Sequence, residues 1–440
     1  MISKLSCMQL GKTFILLFVI TAFLAQSLIG QTTVTLHECQ QWTIEQSSAS
    51  SQLNDLELLR KIKNQIIKSY IPEVSLNASV KYQYPSVNLS GINVINEDNT
   101  GTSYLEFENP IHNDQYLVSL DLTQKVWDGG MASSQQKYED ISSDIAMQNV
   151  HIETYQLKEE IGKLFLTVLY LQENDKVFES SIHTLRQDLK KLEALYANGI
   201  ILESNVYILE AEIMRIEQEQ KRIQLQQQSI RKALSEFTGK DLLQATFILS
   251  EIELPDTSLQ SLRPEFTLLK LQQSALECQK KVLIGQSMPK INIFASGGYG
   301  RPTYNLFSNE FDFMYQVGAK LHVPITLWGA TKSGRDYLEI QKNLIASQEK
   351  TYGQSLRIKM MEKLNEMESL RSLLISDEQI IIKRTVIVNI CKKQLEEGVI
   401  TANDYIKEVN ALNEIILNKQ LHNIQLEQAK MNFNSLKGTL

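Results

Sequence analysis

Cysteine is scarce, four in 440 residues, and its placement excludes most of the chemistry that cysteine brings. Cys7 lies near the start, while Cys39, Cys278 and Cys391 are far apart and odd in number, which suits neither a disulfide framework nor a thiolate metal site. They read as small buried side chains. The six histidines, His37, His112, His151, His183, His322 and His422, have no metal-ligand spacing with one another. Phosphate loops, nucleophile motifs and the Met and His clusters suited to copper or silver are missing too. The sequence indicates no enzyme, no cofactor and no metal site.

Positive charge is also in deficit. The net charge of -7 becomes about -9 if Lys4 and Lys12 are removed with a leader, which argues against nucleic acid or another polyanion as partner. Long apolar runs are missing except at Thr13 to Leu24, behind those two lysines and ahead of the small residues Ala25-Gln26-Ser27 and Gly30. This pattern predicts a signal peptide over residues 1–30. The alternative, a transmembrane anchor, needs about 20 apolar residues and the run has about a dozen. Cys7 precedes the run, where a lipid-attachment cysteine would not be. Any further membrane crossing must be made by strands.

Proline is rare and unevenly placed. All eight, Pro72, Pro85, Pro110, Pro255, Pro264, Pro289, Pro302 and Pro324, lie outside the stretches Met131 to Gly239 and Ala330 to Leu440. Since proline costs about 3 kcal/mol inside a helix, that partition predicts two very long helical segments. In the first, Ile182, Leu185, Leu189, Leu192 and Tyr196 form an apolar seam at heptad spacing. After Asn198-Gly199 the seam returns as Val206, Leu209, Ile213, Ile216 and Ile223. Gly199 and Gly398 are 199 residues apart, as are Gly239 and Gly438, so the second stretch is a hairpin of the same build. The inbound helix from Gly130 to Gly199 would reach on the order of 100 Å at 1.5 Å per residue.

Ahead of each hairpin the period changes from 3.6 to 2. After an expected helix from Val34 to Ser69, Pro72 turns the chain into a strand, 73–84, in which Val74, Leu76, Ala78, Val80, Tyr82 and Tyr84 alternate with polar residues. A polar stretch from about Asn88 to Asn113 leads to a second strand, 115–126, ending at Trp127-Asp128-Gly129-Gly130. Pro289 opens a second copy, after a helix that starts at Pro264, with strands 290–300 and 311–328. The chain thus divides into residues 31–239, a first repeat with its hairpin tip at 198–202; residues 240–263, an irregular linker; and residues 264–440, a second repeat with its tip at 397–401.

Such strands suit either a soluble sandwich or an outer-membrane barrel, whose mark is about ten residues of apolar-out, polar-in alternation. Four strands cannot close a barrel, because about eight are needed, so a barrel reading requires several chains to share one.

The sequence resembles the TolC family of outer-membrane channels over nearly the whole chain after the leader, from Thr35-Leu36-His37-Glu38-Cys39 to Leu436-Lys437-Gly438. The resemblance rests on the paired helix-to-strand turns at Pro72 and Pro289, the strand exits at Val126 to Gly130 and Val323 to Gly329, and the two hairpin tips. It implies a mainly α fold with membrane β: a long α-helical coiled-coil barrel plus four β-strands per chain, shared in a trimeric twelve-stranded barrel. It further implies a homotrimer in contact with outer-membrane lipid and reaching into the periplasm, a passive exit duct for efflux or type I secretion, gated at its periplasmic helical tips. A periplasmic adaptor would dock there and couple the duct to an inner-membrane pump of RND or ABC type. The rival reading is a periplasmic coiled-coil adaptor or scaffold with no barrel.

On this resemblance the adaptor-contacting residues are Gly199, Ile200 and Ile201 in one tip and Gly398, Val399, Ile400 and Thr401 in the other. From the residues alone both tips are sound turns, and Thr401 to Asp404 has the spacing of a capping box. Asp404, with Asn205 at the equivalent place in the first repeat, matches the position of a carboxylate that rings the periplasmic constriction in the family. Taken alone, Asp404 reads equally as a solvated aspartate on a helix face. Lys407 stands where the family has a second acidic position one turn later.

Overall fold

The computed structural model describes residues 33–66, 71–85, 92–95, 102–105, 112–249, 252, 258–305 and 310–439. The expected signal peptide lies outside the described residues. The elements in chain order are β1 (Thr33–Val34), α1 (Leu36–Gln46), α2 (Ala49–Ile66), β2 (Glu73–Tyr82), β3 (Ile92–Ile95), β4 (Thr102–Leu105), β5 (Asp114–Trp127), α3 (Met131–Ala197), α4 (Glu203–Thr238), β6 (Thr246–Phe247), α5 (Pro264–Ser287), β7 (Lys290–Arg301), β8 (Asp312–His322), α6 (Leu327–Glu396) and α7 (Ala402–Lys437). The chain forms two compact units, one of Asn54–Gln148 with Thr267–Glu349, the other of Asn149–Phe266 and Lys350–Leu440 with the described part of Met1–Leu53.

The first unit carries a four-stranded antiparallel sheet in the order β2-β5-β7-β8. Its register sorts the side chains by period 2. Leu76, Leu120, Gly297 and Tyr315 stand in one row across the four strands, and the neighbouring row is Ser75, Asp121, Ser296 and Gln316. One face is therefore apolar and the other polar, with Asp121 accepting hydrogen bonds from Asn77, Ser119 and Ser296. The apolar face is bare in the single chain: Leu76 is 74% exposed, Val317 77% and Tyr315 82%. β2 and β8 are the outer strands of the sheet, each paired on one side only among the described residues.

Two expectations need correction here. The alternation through Leu327 predicts one strand over 311–328, yet pairing ends at His322 and α6 begins at Leu327. Pro324 has no N–H to give a neighbouring strand, and the next residues wind into the helix through Leu327 N–H to Pro324 O at 3.2 Å. The polar stretch 88–113 also contains a short antiparallel pair, β3 with β4, of only four residues per strand.

The second unit is helical and has three buried clusters. One gathers Val34, Cys39, Phe165, Leu234 and Phe247, with Met431 closing it. Here the linker is less irregular than its sequence indicates: Thr246–Phe247 pairs in parallel with Thr33–Val34. Arg231 is buried beside this pair and donates to the carbonyls of Leu242, Leu243 and Ala245, with its guanidinium 5.1 Å from the Phe247 ring centroid. The expected single helix over Val34 to Ser69 is broken at Ser47, which is extended. Its hydroxyl donates to Ile44 O and accepts from Ala49 N–H, so a serine-dense stretch ends one helix and starts the next. A second cluster unites Leu356, Met360, Met367 and Leu370 with Ala429 and Phe433, packing α6 on α7. The third lies at the hairpin tips.

Candidate functional site: the two hairpin tips

The two tips have the same backbone. Gly199 has φ +75 and Gly398 φ +72, the left-handed conformation that side chains resist. In the first tip Gly199 N–H donates to Tyr196 O and Ile200 N–H to Leu195 O; in the second, Gly398 N–H donates to Leu395 O and Val399 N–H to Gln394 O. Both inbound helices thus close with a paired-hydrogen-bond motif that satisfies their last carbonyls.

Beyond the glycines the tips differ. Thr401 caps α7: its Oγ1 accepts from Asp404 N–H at 3.3 Å, and Asp404 Oδ2 accepts from Thr401 N–H at 3.2 Å. The hydrogen bonds from the Thr401 side chain and backbone hold the Asp404 carboxyl below the usual aspartate range. Leu202 stands at the same place ahead of α4 and makes no side-chain cap. Asn205, expected beside Asp404 at a constriction, is buried, and its Oδ1 accepts from Ala402 N–H at 2.8 Å. It therefore serves the start of α7 rather than an open surface. Asp404 stays exposed.

Behind the tips α3 and α4 pack on α6 and α7 through Leu185, Leu192, Leu209 and Ile213 against Leu395, Tyr405, Ile406 and Val409. Within this core lies a polar group that sequence periodicity does not reveal. Asp188 is buried, accepts the Tyr405 hydroxyl at 2.6 Å, and has Lys392 Nζ at 2.5 Å from its other oxygen. Burial, and then the bond to Asp188, push the Tyr405 hydroxyl well above the usual tyrosine range. Further links between the hairpins are Lys191 to Glu396, Arg215 to Asn410 and Asn413 to Ser181.

The residues read as adaptor contacts sit together at this end of the helical unit. Gly199, Ile200, Gly398, Val399 and Thr401 are exposed, and Ile201 and Ile400 are half-buried against the core. Pro72 and Pro289 lie elsewhere, directly ahead of β2 and β7, where each begins a strand. Among the described residues no group of three or more His, Cys, Asp or Glu side chains could hold a metal ion, and no helix is long and apolar enough to cross a membrane.

No family model matches the chain, and no curated protein matches it by sequence. Solved structures do. CusC, studied for conformational changes accompanying folding and transmembrane channel formation, is similar with a TM-score of 0.71 over 92% of this chain and 92% of its own, at 12% identity. The outer membrane protein VceC of Vibrio cholerae gives a TM-score of 0.65 over 91% of this chain and 94% of its own, at 15% identity. The CmeC outer membrane channel of Campylobacter jejuni gives 0.66 over 92% of this chain and 85% of its own, at 12% identity. At identities this low the likeness is one of fold.

Proposed function

We propose that this chain, whose fold is that of TolC-family outer-membrane channels, acts as one: a passive, non-enzymatic exit duct in the outer membrane. The observation that carries the reading is the four-stranded sheet with a bare apolar face and two outer strands, each paired on one side only among the described residues. In water such a face lacks cover, and in lipid an open strand edge is untenable. Both problems vanish if three copies pool their strands into one closed barrel of about twelve, apolar side to lipid and polar side to the lumen.

The hairpin tips then face the periplasm. Ile200, Ile201, Val399 and Ile400, set on the Gly199 and Gly398 turns beside Thr401, form the docking surface for an adaptor that connects the duct to an inner-membrane pump. Asp404 contributes the charge of the constriction, where three copies would repel one another and attract cations. Small-molecule efflux and type I secretion both fit this surface, and the pump, of RND or ABC type, decides between them.

Membrane fractionation with electrophoresis of unheated and heated samples tests the proposal. The expected outcome is an outer-membrane trimer, stable in detergent and dissociated by boiling. A water-soluble monomer would end the channel reading.

A further inference from the structure

Although the chain is acidic overall, the polar face of its sheet carries a basic band. Where the strands join the helices, the register sets Lys125, Asn292 and Lys320 in one row across β5, β7 and β8, and pairs Lys290 with His322 in the next. Lys125 and Lys320 stand two strands apart, about 10 Å at the usual strand spacing. None of the three lysines makes an ion pair among the described residues. The ion pair that this sheet does show, Arg301 with Asp114, lies at the opposite end of the strands.

Nearby carboxylates do not cancel the band. Glu73, in the adjoining row, is the one acidic side chain of this face at that end, against three lysines. Asp128, just past β5, is buried and caps α3, accepting from Gly130 N–H and Ala132 N–H. Asp121, one row beyond Glu73, already accepts from Asn77, Ser119 and Ser296. At the far end of the same face Lys81 is offset by Asp312. Between the lysine row and the Asp121 row stands Phe294, the one aromatic side chain on this face of the four strands. Its ring lies over Gly318, where a Cβ would come 2.7 Å from the ring's Cζ. A half-buried aromatic ring beside unpaired lysines departs from polar-in alternation and offers an apolar surface next to positive charge.

We infer that Lys125, Lys290 and Lys320 form a cargo filter for amphipathic organic anions, whose carboxylate, sulfonate or phosphate meets the lysines and whose apolar body meets Phe294. This rests on the channel reading, in which the polar face lines the lumen, and adds to it the class of cargo. Twelve strands about 4.8 Å apart and tilted about 40° enclose a bore of about 24 Å between backbones. Three copies bring nine lysines and three Glu73 side chains to one end of that bore. With lysine side chains reaching inward, a passing solute comes within roughly one Debye length, about 8 Å, of several ammonium groups. Anions are concentrated there and cations held off.

The test measures binding of pyranine, a pyrene carrying three sulfonates, to the purified full-length protein in detergent by fluorescence anisotropy, which needs no open tip. The wild type should bind the dye, more weakly as salt rises. The triple variant Lys125→Gln, Lys290→Gln, Lys320→Gln should weaken binding at least tenfold, and the corresponding triple arginine variant should stay within threefold of the wild type. Phe294→Leu should weaken binding about threefold, and Lys81→Gln, at the far end of the face, should change it less than twofold. No binding by the wild type, undiminished binding in the triple glutamine variant or in Phe294→Leu, a loss in the arginine variant equal to that in the glutamine one, or an equal loss in Lys81→Gln would each overturn the inference. Fractionation judges the channel reading separately: a chain that forms no outer-membrane trimer fails there, whereas a trimer indifferent to its lysines fails only here.

Discussion

The Tyr405 hydroxyl donates to Asp188 across 217 positions of sequence, 2.6 Å from oxygen to oxygen, joining the second return helix to the first inbound one in a buried setting. With Lys392 on the other carboxylate oxygen, a buried carboxylate ties the two hairpins together near their tips.

Removing that hydroxyl should therefore be felt. Tyr405→Phe keeps the ring but leaves a buried carboxylate short of a donor, and a loss of about 1–3 kcal/mol is expected in equilibrium denaturation. The raised pKa also sets a pH window. Tyr405 supports the fold below the unfolded tyrosine value of about 10, and that support is lost as pH rises through the higher folded value. Alkaline unfolding should accordingly respond less steeply to pH in the phenylalanine variant.

Asn205 offers a sharper local test. Asn205→Ala leaves the buried Ala402 N–H without its acceptor, which should cost about 1–2 kcal/mol and speed hydrogen exchange at Ala402. Exchange at the start of α4 should not change. Equal protection of Ala402 in the variant and the wild type would show the bond to be incidental.

Asp404 should respond to acid. Its folded pKa is lowered, so the cap contributes fully above the ordinary aspartate range and is lost as pH falls through the lower folded value. Amide protection over Ala402 to Tyr405, relative to the intrinsic exchange rate, should fall below about pH 4 in the wild type and show no such step in Asp404→Asn, whose side chain does not titrate.

The sheet makes a paired prediction. Val317→Lys puts a charge on the apolar face and, in a barrel wall, costs about 2–4 kcal/mol near mid-membrane. Gln316→Lys, one residue earlier on the polar face, should be tolerated. Trimer recovered from outer membranes is the measurement, and equal recovery of the two would contradict the lipid-facing assignment.

Much of this was legible in the sequence because its signatures are local. Proline exclusion marked the long helices, Gly199 and Gly398 marked turns that require a positive φ, and Val74 to Tyr82 wrote the period of a strand directly. What escaped depends on distant partners. Asp188 sits next to the seam residue Leu189 and reads as solvated until Tyr405 and Lys392 cover it. Asn205 is an ordinary polar residue until Ala402 is 2.8 Å away. Tyr196 fits the heptad yet is exposed, while Leu395, at the same distance from its own tip glycine, is buried; the spacing alone does not tell them apart.

The outer strands β2 and β8 each leave a row of backbone donors and acceptors without mates among the described residues of one chain. In the proposed trimer, a subunit altered only along Glu73–Tyr82 would still fold its own hairpins, join two normal sisters and leave the ring unsealed. Such a mutant should poison mixed assemblies, so a single faulty allele would behave as dominant over a healthy one.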